Sequence, residues 1–149
     1  MSIFSIASSG LSAASLRANV AASNIANVQT TGPLPTSDGS SQATSAGSSC
    51  IAPTFPAAYV PLRVDQVSQS SGSTPGGTSA TVSTVSPSYT VQSDPSAPFA
   101  NQDGLVAAPN VDIANEFAQL AAAKYSFIAN AKVIQAYSET EKSLLDITT

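Results

Sequence analysis

The chain has no histidine and no tryptophan, one cysteine and one methionine, and only 9% of its 149 residues are charged. Each shortage removes a class of function. Histidine is the commonest general base, and the carboxylates here are scattered without pairing, so the chain reads as not an enzyme and no cofactor is expected. The single thiol, Cys50, lies in a Ser-rich stretch and closes no internal disulfide; it reads as a buried or tolerated residue. A net charge of −4 leaves no basic stripe for phosphates, so nucleic acid is not a partner and acidic lipid surfaces repel the chain. No run approaches the roughly 20 apolar residues of a membrane span, so membrane insertion is not expected. No Lys or Arg precedes Arg17, and Ser8, Ser9 and Gly10 interrupt the apolar residues, so the start of the chain does not read as a cleaved secretory signal.

Two smaller features have ordinary explanations. Asp112 and Glu116, four apart on a helix face, lack the further ligands that a cation needs and read as carboxylates that offset the helix dipole, so no metal is expected. Gly76-Gly77 beside Pro75 is followed by no Lys at P-loop spacing and reads as a turn.

Ser, Thr, Ala, Gly and Pro occupy the positions that charges would fill, where a soluble domain averages about 25% charged residues. A weakly solvated surface suits a subunit whose flanks are covered by neighbours, although a disordered Ser/Thr-rich chain has a similar composition. The pattern along the chain separates the two. Phe4, Ala7, Leu11, Ala14, Ala18, Ala21, Ile25 and Val28 fall at alternating steps of three and four, the a/d spacing of a coiled-coil seam. Ala at half of these positions lets helices approach closely but buries little area, so the seam needs partners. Ser2 as N-cap and Gly32-Pro33 as stop predict a helix over 3–28. Asn19, Asn24, Asn27 and the many Ser lower its intrinsic propensity, so packing must create it.

A second helix is predicted from Pro109 to about Leu145, with Asn110 as cap and Asp112 and Glu116 at the positive end of the dipole. Ile113, Phe117, Leu120, Phe127, Ile134 and Leu145 share one stripe. A further ridge of Tyr125, Val133, Tyr137 and Leu144 makes the apolar surface wider than one partner helix would cover. Between the helices, clusters at 37–49 and 68–80 carry no helical period. Pieces at 59–67 and 81–91 have the β-branched enrichment of strands, limited by Pro61 and Pro87 to edges or ends. Three segments result: an N-terminal helix in 1–32, a Ser/Thr/Pro/Gly-rich, partly β middle in 33–108, and a C-terminal helix in 109–149.

Ser9-Gly10-Leu11-Ser12-Ala13, then Asn19-Val20-Ala21-Ala22-Ser23-Asn24-Ile25-Ala26-Asn27 and Thr30-Thr31-Gly32, resemble the N-terminal signature of bacterial flagellar axial proteins. Pro109-Asn110-Val111-Asp112-Ile113-Ala114-Asn115-Glu116 and Ala129-Asn130-Ala131-Lys132-Val133-Ile134 resemble the C-terminal signature of the same rod and hook family. The run from Asp94 to Val106 is similar to the segment typical of the proximal-rod type, with Ala97-Pro98 where that type usually carries His-Pro. The resemblance implies a subunit of the flagellar basal-body rod, outside the inner membrane, that polymerises helically with itself and other rod subunits. It also implies passage through the flagellar export apparatus without a cleaved signal peptide.

The expected fold is therefore mainly α, its terminal helices packed antiparallel as a coiled-coil-like hairpin with an irregular, partly β middle. Phe4, Leu11, Ala14, Ala18, Ala21, Ile25 and Val28, with Phe117, Leu120, Phe127 and Ile134 opposite, are the expected intersubunit contacts. Asn24, Asn27 and Asn130 either set helix register by cross-helix hydrogen bonds or face water. The seam could also close an ordinary hairpin in a monomeric domain. A different class of function, a secreted or export-associated binding module, would use the same helices to hold one partner.

Overall fold

The computed structural model describes residues 3–35, 55–69 and 76–147. The expected cap Ser2, the thiol Cys50, the cluster at 37–49 and part of that at 68–80 lie outside the described residues. Six elements follow in order: α1 (Ile3–Asn27), β1 (Leu62–Ser68), β2 (Thr78–Thr84), β3 (Tyr89–Ser93), β4 (Leu105–Pro109) and α2 (Ile113–Ile147). The expected architecture holds, with two terminal helices packed together and small antiparallel strands between them.

The helices run antiparallel. Asn24 of α1 reaches Glu116 of α2, and Gly10 of α1 abuts Asn130 of α2, the two contacts being equally far apart along both helices. At 1.5 Å per residue α1 is about 38 Å long and α2 about 53 Å. Carried onward, this register sets Ile3 opposite Tyr137, so the rest of α2 extends past the described start of α1.

Local chemistry fixes the ends. The carbonyl of Asn27 accepts from the amide (3.0 Å) and the hydroxyl (2.7 Å) of Thr30, which closes the last turn of α1. Gly32 then bridges to β4, exchanging backbone bonds of 3.0 and 2.9 Å with Ala107. A Cβ at Gly32 would collide with the backbone of Ala57 and Ala58, so this close crossing requires glycine. At α2 the cap is Asp112 rather than the expected Asn110: Asp112 Oδ1 accepts from the amides of Ala114 at 3.0 Å and Asn115 at 3.5 Å. The helix begins one residue after Asp112, which places its carboxylate over the free amides. The Asn110 side chain instead donates to the carbonyl of Pro87 at 2.9 Å, tying the end of β4 to the turn before β3.

β1 and β2 pair antiparallel with Leu62 opposite Thr84 and Ser68 opposite Thr78. β3 and β4 pair antiparallel with Tyr89 opposite Pro109 and Ser93 opposite Leu105. The stretch expected as one strand over 81–91 is split, because Pro87 has no amide to donate and sits in the bend between β2 and β3. β4 was not expected from the sequence. In the loop before it, Asn101 Oδ1 accepts from the amides of Asp103 (2.9 Å) and Leu105 (2.8 Å), and Phe99 packs on Phe55 with ring centres 5.5 Å apart. The buried core is built of small side chains: Ala7, Ala13, Ala14, Val20 and Ala21 of α1, Val106, Ala107 and Ala108 of β4, and Ala123 of α2. One face of α1 packs on α2 and another on the β1–β2 hairpin.

Candidate assembly interface

Asn24 is the polar centre of the fold, with 0% of its surface exposed. Its amide nitrogen donates to the carbonyl of Leu62 at 2.7 Å and to Glu116 Oε1 at 2.9 Å. Its oxygen accepts from the Leu62 amide at 3.1 Å and the Tyr59 hydroxyl at 3.0 Å. Both donors and both acceptor sites are thus used, and one side chain joins α1, α2, β1 and the segment before β1. Because Tyr59 gives its proton to Asn24, Ser23 is the donor in its 3.1 Å bond to the same phenol. The other two asparagines singled out in the sequence bond within their own helices, Asn27 to the carbonyl of Ser23 and Asn130 to that of Ser126, each at 2.9 Å.

Small residues set the approach of the helices. Ala7, Ala14 and Ala21 recur at heptad spacing and all are buried. A Cβ built on Gly10 would lie 2.7 Å from the side-chain amide of Asn130, so glycine leaves room there for that side chain. Sequence reasoning gave every a/d position equal standing, whereas the structure divides them by size. Within one chain Ala7, Ala14 and Ala21 are covered, while Leu11, Ala18, Ile25 and Val28 are half-buried and Phe4 is exposed.

α2 buries Ala123 alone among its described residues. Phe117 is 56% and Phe127 44% exposed, and Leu120 and Ile134 are half-buried. Five of the expected contact residues, Ala14, Ala18, Phe117, Leu120 and Phe127, converge with Ile128 on one open groove of about 660 Å³ between the helices. Ser15, Asn19 and Lys124 add polar groups to its lining. Phe4, Leu11, Ala21, Ile25, Val28 and Ile134 are not part of this groove's lining. Gly10, Ile128 and Tyr59 were not identified from the sequence as contacts; a small residue three positions after Ala7 was the available sign for Gly10.

The groove offers mostly van der Waals surface. Among the described residues no cluster of three or more metal-ligating side chains occurs, and no helix is long and apolar enough to cross a membrane. On α2 the Tyr137 phenol is held above its ordinary range by a hydrogen bond to Glu141 and by that carboxylate's charge.

Comparison with known proteins falls on these same elements. Residues 4–33, which contain most of α1 and Gly32, match the family described as flagella basal body rod protein. Residues 102–147, which contain β4 and α2, match the family described as flagellar basal body rod FlgEFG protein C-terminal. The chain is similar to the flagellar basal-body rod protein FlgC of Salmonella typhimurium and to that of Escherichia coli O6:H1. Each is 34% identical over 148 residues, covering 97% of this chain and 92% of the relative. With both helices and nearly the whole length accounted for, the chain belongs to the flagellar basal-body rod proteins, as a member of their proximal-rod type.

Proposed function

We propose that the chain is a structural subunit of the bacterial flagellar basal-body rod, polymerising helically with itself and with other rod subunits through its terminal helices. The observation that supports this most directly is the groove: Phe117, Leu120 and Phe127 gather against Ala14 and Ala18, yet in the single subunit about half of each phenylalanine remains open to water. Exposed apolar surface of this kind marks a contact surface. Phe4, Leu11, Ala18, Ile25, Val28, Phe117, Leu120, Phe127 and Ile134 carry the intersubunit contact in this reading, with Ala14 and Ala21 covered inside the subunit behind them. Asn24 sets the register from inside each subunit. The subunit works in the periplasmic part of the rod and reaches it through the flagellar export apparatus without a cleaved signal peptide. Helices of low propensity, joined by a Ser/Thr-rich middle, suit passage through a narrow channel before packing is complete.

Sedimentation of the purified chain with other rod subunits tests the assignment. Open-ended polymers are expected; a small closed complex of fixed stoichiometry would instead identify a one-partner binding module. In cells, Leu11→Asp is expected to block rod assembly while leaving synthesis intact, and normal motility in that mutant would contradict the assignment.

A further inference from the structure

We propose that the groove between α1 and α2 receives the projecting C-terminal end of α2 from a second copy of this chain. This inference rests on assembly through the helices and names the contact that carries it.

Three observations point to that occupant. First, Leu144 and Ile147 are 60% and 78% exposed and lie three apart on one helix face, in line with Tyr137 seven residues before Leu144. They form an apolar ridge on the part of α2 that has no described residue of α1 beside it. Second, the groove sets the small residues Ala14 and Ala18 against Phe117, Leu120 and Phe127 in one open, mainly apolar trough of about 660 Å³, with room for leucine and isoleucine side chains. Third, the charges are complementary. The described residues 3–35 and 117–138 contain Arg17, Lys124 and Lys132 and no acidic residue, with Lys124 in the groove itself. The segment 139–147 contains Glu139, Glu141 and Asp146 against Lys142.

A chain cannot satisfy its own groove. Leu120 and Leu144 are on one unbroken helix and stand about 36 Å apart along it, so the ridge must come from elsewhere. Groove and ridge are different surfaces, so the contact is heterologous: each copy filled at its groove still offers its ridge, and the series stays open unless it closes into a ring.

Disulfide trapping in the full-length chain tests this. In a Cys50→Ser background, Ala18→Cys and Leu144→Cys are combined and the protein is oxidised. A ladder of dimer, trimer and higher species is expected, whereas either single cysteine variant can give dimers at most. A second arm uses Leu144→Asp on the ridge and Leu120→Asp on the groove, with helicity checked by circular dichroism. Each variant should self-associate at least about tenfold more weakly, and an equimolar mixture should recover heterodimers through the remaining intact groove and ridge. If the oxidised double-cysteine chain sediments as oligomers but shows no ladder, the inference falls while assembly through another contact stands. A chain that stays monomeric throughout also overturns it, and co-sedimentation with other rod subunits then shows separately whether the assembly assignment fails.

Discussion

Asn24 on α1 donates to Oε1 of Glu116 in the first turn of α2 at 2.9 Å, and the same amide nitrogen donates to the Leu62 carbonyl at 2.7 Å. Asn24→Ala therefore strips partners from a carboxylate, a peptide group and the Tyr59 phenol at once. Loss of roughly 2–4 kcal/mol is expected, read from the urea midpoint at unchanged slope. A loss below about 0.5 kcal/mol would show that water replaces the amide without penalty and that Asn24 does not hold the elements together.

Gly10 and Asn130 meet across the two helices. Gly10→Ala gains up to about 1 kcal/mol of helix propensity but places a methyl 2.7 Å from the Asn130 amide, forcing a shift whose cost is typically about 1–3 kcal/mol. The single variant should be destabilised. Gly10→Ala with Asn130→Ala should recover that loss, giving a favourable coupling in a double-mutant cycle. Simple additivity would mean that the two residues do not limit the helix separation.

Phe117 and Phe127 separate folding from assembly. Because each keeps roughly half of its surface exposed in one subunit, Phe117→Asp or Phe127→Asp should cost the folded chain no more than about 1–2 kcal/mol. The same variants should stop pelleting with rod subunits. If they unfold the chain and spare assembly, the groove is not an intersubunit surface.

Tyr137 gives an alkaline signature. Glu141 accepts a hydrogen bond from the phenol and its charge disfavours the phenolate, so the folded-state pKa is raised. The associated stabilisation is present below the unfolded value of about 10 and fades as the pH rises through the higher folded value. In a phenolate absorbance titration, Glu141→Gln should move one tyrosine to lower pH, as Tyr137→Phe should remove the late component. An unchanged titration would sink the pairing.

Heptad counting found both helices because their apolar spacing runs over many turns, and α1 ends within one residue of its expected boundary. The division of labour within the seam was not legible. Spacing ranks Leu11 and Ala14 alike, and only the approach of α2 shows that alanine is covered while leucine is left partly open. Likewise nothing local distinguishes Asn24 from Asn19, which is exposed; the difference comes from Leu62, whose peptide group arrives beside Asn24 from 38 residues along the chain. β4 escaped notice because Ala107 and Ala108 are poor strand formers, and pairing with β3 and Gly32 creates the strand. Asp112 and Asn110 were both suitable caps by residue type, and two positions of register decided between them.

The glycine and alanines between the helices also have a consequence beyond one subunit. Helices that meet through small residues can pack closely. A bulkier residue at Gly10 would press on the Asn130 side chain, and where identical subunits repeat side by side the same displacement would recur in each of them, so a change made once in the sequence would add up along an assembly.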